Sequence, residues 1–488
     1  MLSSRLHRAR LAQIEQHMLV LENQMTLLRA EKETIENDLA AIVYPVLTLP
    51  NEITSQIFVH YVNDQRIHSP QCLLSVCSSW RQVALSTCWL FNRVMSRHVD
   101  QLASWIPLSG NLPLTLDFIS YYPPSSHEFR LLCQLLSAYS GRWRSLTLAT
   151  MQNGVLPIHL SGTFSSLITL SIESFGSSAE PMVIPMLQAP RLVELKLDSG
   201  RVMSLWETIL PWTQLTKLEL NEGLEHWSQF LPRTPNLEVL RITDSFRDGV
   251  PPNQIQFIPM IVLPQLHTLD FFLTDCCDLI QYLTLPALEN LTIHFTPSWN
   301  WDMMELFVQR SRCTVRNIEL WVEIMEADLI VDFFEDLQWP LSSVRQLTIN
   351  TPTQNMLLSL FDALSDDDRV QFLPVLETLK IGDVQFNIPL IPIVDMLSAR
   401  MQRVPDKDGN VANLKSFELT FGSELSSTRD DAELDEHMDS QMEEVLEQLR
   451  RLQSGGLRVD IQSTFKHMGD AIALNAVHTF LQLFIRLC

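Results

Sequence analysis

One short pattern, L-x-x-L-x-L, returns ten times between Leu167 and Leu419 and leaves few folds open to this chain. The copies are Leu167/Leu170/Ile172, Leu192/Leu195/Leu197, Leu215/Leu218/Leu220, Leu237/Leu240/Ile242 and Leu266/Leu269/Phe271. Leu288/Leu291/Ile293, Val315/Ile318/Leu320, Val344/Leu347/Ile349, Leu376/Leu379/Ile381 and Leu414/Phe417/Leu419 complete the series. Alternation in the second half of each copy predicts a short strand with one apolar face. A single unit of this kind cannot bury that face, so the units are expected to stack on one another as a solenoid. The competing reading is a set of unrelated buried strands in one large α/β domain, which does not require the same pattern ten times. Prolines at 190, 235, 264, 286 and 374 precede five copies and are expected to end the preceding element. Between strands, 224–231, 301–310 and 327–337 read as helical.

Successive copies start 22 to 38 residues apart, mostly within or near the range of leucine-rich repeats, about 20–29 residues. The expected fold class is therefore α/β: an N-terminal coiled-coil helix, a helical module, then a leucine-rich-repeat-like α/β solenoid. The helix, assigned to 1–44, carries a heptad seam. Leu11, Met18, Met25, Lys32 and Leu39 occupy a, and Ile14, Leu21, Leu28, Ile35 and Ile42 occupy d. A stripe this narrow suits a helical partner, and a homodimer through the seam would supply one. Packing of a lone amphipathic helix on its own chain is the other way to cover it. Lysine at an a position typically sets register and oligomer state at some cost in stability.

Residues 45–95 read as a small helical module. One helix starts at Pro50, with Ile53, Ile57 and Tyr61 on one face. A second is expected over 72–87, with Leu73, Val76, Cys77, Trp80, Val83 and Ala84 on one side. The solenoid is assigned to 96–470. Within it, 423–452 is an acidic insertion, read as a solvated loop followed from about Asp435 by a helix with Met438, Met442, Val445 and Leu449 inward. Residues 471–488 form a predicted amphipathic capping helix: Asn475, His478, Gln482 and Arg486 make a polar stripe that a bilayer would not hydrate. No membrane partner is expected.

The formal net charge of -22 repels phosphate backbones, so no nucleic-acid partner is expected. Eight scattered cysteines without a CxxC pair suit reduced thiols, and with them a cytoplasmic or nuclear location. No phosphate-cradling, nucleophile-elbow or zinc motif occurs; the expectation is no catalytic residue, no cofactor and no metal. Asp366-Asp367-Asp368 reads as a polar turn rather than a cation site, because adjacent carboxylates diverge.

The helical module resembles the F-box family, especially fungal members in which an F-box precedes degenerate leucine-rich repeats. The residues that carry the resemblance are Leu47, Leu49-Pro50, Glu52-Ile53 and Ile57-Phe58, then Leu74, Val76-Cys77, Trp80-Arg81 and Val83-Ala84. At the end, where the family has Leu-Trp, this chain has Leu90-Phe91, with Trp89 one position earlier. The repeats also lack the asparagine that usually follows the strand, having Gly200, Gly223, Ser245 and Thr274 instead, which implies irregular turns. The resemblance implies a non-catalytic substrate-recognition subunit of an SCF-type, cullin-based ubiquitin ligase. Docking to the Skp adaptor would use Leu49, Pro50, Ile53, Ile57, Phe58, Leu74, Val76, Cys77, Trp80, Arg81, Val83 and Phe91. The repeat region would then hold a target protein of unknown identity. The alternative is a coiled-coil and leucine-rich-repeat scaffold for protein assembly with no ubiquitin role.

Overall fold

The computed structural model describes residues 2–41, 49–64, 70–96, 99–120, 126–150, 163–174, 188–198, 210–221, 230–244, 260–273, 277–295, 301–322, 342–365, 372–384, 390–402, 412–421 and 447–463. The chain divides into two compact units, Met1–Arg93 with Ser104–Leu112, and Val94–Ala103 with Pro113–Cys488. Each has its own buried core.

In the first unit, α1 (Leu2–Ala41) is one uninterrupted helix, as the absence of proline and glycine before Pro45 allows. The seam residues Leu11, Ile14, Met18, Leu21, Met25, Leu28, Lys32 and Ile35 are all exposed. The side chain of Leu39, and Ile42 altogether, lie outside the described residues. The module that follows consists of α2 (Asn51–Asp64), α3 (Gln71–Val76) and α4 (Ser78–Ser86), closed by a 3₁₀ turn at Cys88–Leu90.

The second unit is built on a 14-stranded sheet. Its strands are β1 (Arg93–Ser96), β2 (Leu114–Ser120), β3 (Trp143–Thr150), β4 (Thr169–Ser174), β5 (Glu194–Asp198), β6 (Lys217–Asn221) and β7 (Val239–Asp244). After the short β8 (Ile261–Val262) come β9 (Thr268–Leu273), β10 (Leu283–Thr284), β11 (Asn290–Phe295), β12 (Asn317–Val322), β13 (Gln346–Asn350), β14 (Thr378–Val384), β15 (Ser416–Phe421) and β16 (Arg458–Ser463). The large sheet follows chain order, with β8 and β10 set aside as a separate parallel pair. From β2 to β16 the strands of the large sheet pair in parallel.

Register explains the repeated sequence. The fourth position of each copy aligns across the sheet as Leu170, Leu195, Leu218, Leu240, Leu269, Leu291, Ile318, Leu347, Leu379 and Phe417. The sixth aligns as a second row, Ile172 through Leu419, and every member of both rows is buried. The first leucine closes a turn: Leu192, Leu237, Leu266, Leu288 and Leu376 each donate a backbone N–H to the carbonyl three residues back. In all five turns the proline is the residue after that carbonyl. Proline pre-sets φ there and needs no donor, so it shapes the turn that leads into the strand.

Helices Trp301–Ser311, Gln354–Ser365 and Leu390–Gln402 lie between strands, and the last two pack on each other. The first matches the expected helix at 301–310. Arg400, in the last turn of Leu390–Gln402, is fully buried, and its guanidinium ties three carbonyls together. Nε donates to Leu364 O at 3.1 Å, Nη1 to Leu373 O at 2.8 Å and Nη2 to Phe372 O at 2.8 Å. A helix over 447–454 ends the acidic insertion, with Leu449 buried as expected. The readings at 224–229, 327–337, Asp366-Asp367-Asp368, 423–446 and 471–488, and at the turn positions 200, 223, 245 and 274, fall outside the described residues.

Candidate functional site

The helical module holds the predicted docking residues, and two adjacent faces of α2 divide them. Thr54, Phe58 and Val62 recur every four residues and are buried. One residue out of step, Ile53, Ile57 and Tyr61 form a second row on the helix, and Leu49 lies two residues before its start; all four are exposed. Residues one apart on a helix sit about 100° around its axis, so one row fills the core while the other remains in solvent.

The core is closed around aromatic contacts. The Phe58 and Trp80 rings are 4.9 Å apart and tilted at 55°, with Trp80 half-buried. Phe91 is buried edge-on to Trp105 at 6.1 Å. Val83, Ala84, Leu73 and Leu90 fill the remainder. Pro50 is exposed; its carbonyl accepts the first helical bond of α2, from the Thr54 N–H at 3.0 Å, so the helix starts at Asn51 rather than at Pro50.

The single helix expected over 72–87 is instead two. Cys77 is extended, with φ -156 and ψ 173, and its Sγ accepts the Trp80 N–H at 3.5 Å, which caps α4. Arg81 Nε donates to the Leu74 carbonyl at 2.8 Å, satisfying an acceptor near the end of α3. The reason is local: Ser78-Ser79 follow Cys77, and serines favour helix starts over helix interiors.

Of the twelve predicted docking residues, the structure leaves Leu49, Pro50, Ile53, Ile57, Val76 and Arg81 exposed. Leu74, Cys77 and Trp80 are half-buried, while Phe58, Val83 and Phe91 are inside the module. The last three hold the module together and present no surface. Two exposed residues were missing from the set. Tyr61 completes the four-residue spacing of Ile53 and Ile57, so periodicity alone could have added it. Trp89 stands exposed beside the buried pair Leu90-Phe91, a reversal that follows from the 3₁₀ turn.

The second unit offers a polar surface. Polar side chains that alternate with the buried rows form a cross-strand ladder: Lys196 lies 3.2 Å from Glu173 and 3.1 Å from Glu219, and Arg241 reaches Asp270 at 3.5 Å. Burial lowers the Lys196 pKa, but the two glutamates outweigh it and leave that pKa raised. Asp270 is raised by burial, which the Arg241 charge only partly offsets. Further along, His294 stacks on Trp321 with centroids 5.4 Å apart and an interplanar angle of 7°. Trp321 Nε1 and Asn350 Nδ2 both donate to Glu319 Oε1 at 2.8 Å. Gly382 leaves room for Asn350, since a Cβ there would overlap the amide oxygen. Burial drops the His294 pKa to about 4, so the ring is neutral at pH 7.

Among the described residues, no group of three or more His, Cys, Asp or Glu side chains could hold a metal ion. No helix among them is long and apolar enough to cross a membrane. In comparison with known proteins, no family model matches this chain and no curated protein matches it.

Proposed function

We propose that this chain is a non-catalytic substrate receptor, in which α2–α4 act as an F-box that docks the Skp adaptor of an SCF-type, cullin-based ubiquitin ligase. The observation that carries this reading is the exposed row Ile53, Ile57 and Tyr61, with exposed Leu49 just before the helix, on a module that already has a filled core of its own. Aligned apolar side chains that a folded module leaves in water are the raw material of a protein interface. Leu49, Ile53 and Ile57 are also residues that carry the F-box resemblance, and that resemblance supplies the partner.

The parallel sheet is read as part of a leucine-rich-repeat-like solenoid. Its support is the chain-order pairing of strands and the repeated turn before them. In this proposal the target protein lies on the polar strand surface, where Trp321 and the charged ladder supply an aromatic anchor and specific polar contacts. The receptor contributes position alone, by raising the effective concentration of target near the ubiquitin-loaded enzyme. Its setting is the cytoplasm or nucleus.

The test is affinity purification of the full chain with partners identified by mass spectrometry. Adaptor and cullin are expected, and both should be lost when Leu49, Pro50 and Ile53 are replaced by alanine. Recovery of other proteins without adaptor or cullin would overturn the ligase reading and support an assembly scaffold.

A further inference from the structure

The seam of α1 is exposed along its described length, so what covers it has to be read from the charges beside it. With Leu11 at a, the flanking g positions are Arg10, His17, Gln24, Glu31 and Asp38, and the e positions are Arg8, Glu15, Glu22, Arg29 and Glu36. In a two-stranded coiled coil these flanking residues choose the partner's direction.

A parallel, in-register pair of copies fits poorly. It sets g against the e position five residues on, which gives Arg10 with Glu15 but also Glu31 with Glu36. It also stacks Lys32 on Lys32 in a core layer, where both ammonium groups lose water. An antiparallel pair sets g against g and e against e. When the two copies cross at Asn23, Leu11 faces Ile35, Met18 faces Leu28, Met25 faces Leu21 and Lys32 faces Ile14. The flanks then become Arg10 with Asp38, Glu15 with Arg29, Arg8 with Glu36 and His17 with Glu31, each made twice by symmetry. Against these stands one Glu22–Glu22 contact on the axis.

Sliding the antiparallel pair by one heptad in either direction loses this match. Crossing nearer the N-terminus brings Arg8 onto Arg29 and Glu15 onto Glu22; crossing nearer the C-terminus brings Glu15 onto Glu36. Lys32 lies 3.5 Å from Glu36 of its own helix, and in this register that carboxylate stands between Lys32 and Arg8 of the other copy.

We propose that α1 is an antiparallel dimerisation helix, and that its occupant is α1 of a second copy of this chain, in the register centred on Asn23. The F-box reading is not needed for this. The consequence for assembly is that the two copies leave the coiled coil at opposite ends, roughly 50 Å apart for a shared span of about 32 residues.

The test uses the full chain in analytical ultracentrifugation, with wild type, Asp38→Arg, Arg10→Glu and the double variant. Both substitutions lie on an exposed helix face, so neither removes a core contact. Wild type is expected to be a dimer; a monomer at every accessible concentration overturns the proposal. Asp38→Arg should weaken the dimer about tenfold, because two attractive pairs become repulsive. Arg10→Glu should weaken it similarly, and the double variant should recover to within about twofold of wild type. The parallel arrangement makes two different predictions. There Asp38 faces Val43, so Asp38→Arg changes nothing, and the double variant stays weak because the carboxylate introduced by Arg10→Glu still meets Glu15. Either of those results refutes the antiparallel register.

Discussion

Ile57 and Phe58 are chain neighbours in α2, and their substitutions should have opposite consequences. Ile57 is 48% exposed and Ile53 44%, whereas Phe58 is 1% exposed. Full burial of such a side chain is worth about 1.5–3 kcal/mol, so roughly half remains for a partner to gain at each isoleucine. Replacing both isoleucines by alanine should therefore cost docking about 1.5–3 kcal/mol, a loss of roughly 10- to 150-fold in affinity. The same change should cost the free chain no more than about 1.5–3 kcal/mol, because only the buried half of each side chain contributes to folding. Phe58→Ala removes a filled ring site against Trp80 and should destabilise the module by about 3–5 kcal/mol. The measurements are isothermal titration with purified adaptor and hydrogen exchange over α2–α4 of the full chain. The expected pattern is weak binding with a protected module for the isoleucine pair, and lost protection for Phe58→Ala. Undiminished adaptor affinity in the isoleucine variant, with the module still protected, would refute the docking face. A protected module in Phe58→Ala would refute the assignment of the core.

Arg400→Met should take its donors from the three carbonyls that the guanidinium joins and lower local stability by about 3 kcal/mol or more, at about 1–3 kcal/mol per buried acceptor. Hydrogen exchange should accelerate in Gln354–Ser365 and Leu390–Gln402 and stay unchanged in β4–β6; equal protection everywhere would contradict the bracing role. His294 makes the sheet acid-sensitive. Its folded pKa, about 4, lies below the ordinary 6.5, so on acidification the unfolded chain takes the proton first. Stability contributed there is complete above about pH 6.5 and is lost as the pH falls towards 4. His294→Gln should flatten that part of the denaturation profile relative to wild type, and parallel profiles for the two would show that His294 is not its source.

The module shows why its exposed face was only partly legible in the sequence. Spacing identifies Ile53, Ile57 and Tyr61 as one face, but Thr54, Phe58 and Val62 are spaced identically and are mostly apolar too. Nothing in α2 alone says which row is inward. That choice is made by Trp80 and by the side chains α3 and α4 bring from later in the chain. The break at Cys77 was hidden for a related reason: apolar periodicity runs through it, and only the extended backbone with its Sγ cap reveals two helices. Arg400 gave no signal at all, since a lysine or arginine near a helix end is ordinarily a solvated charge.

By itself, the sequence determined the uninterrupted helix α1, the positions of the ten strands that carry L-x-x-L-x-L, and the two residues of each strand that face inward. Those features depend on interactions within a few residues: the alternation of a strand, the spacing of a helix, the fixed φ of a proline. The tertiary structure decided what depends on residues far apart in the chain. It set the parallel register that aligns leucines into continuous buried rows, the rotation of α2 that leaves Ile57 out and Phe58 in, and the enclosure of Arg400. Burial is a property of neighbours, and these neighbours meet only when the chain has folded.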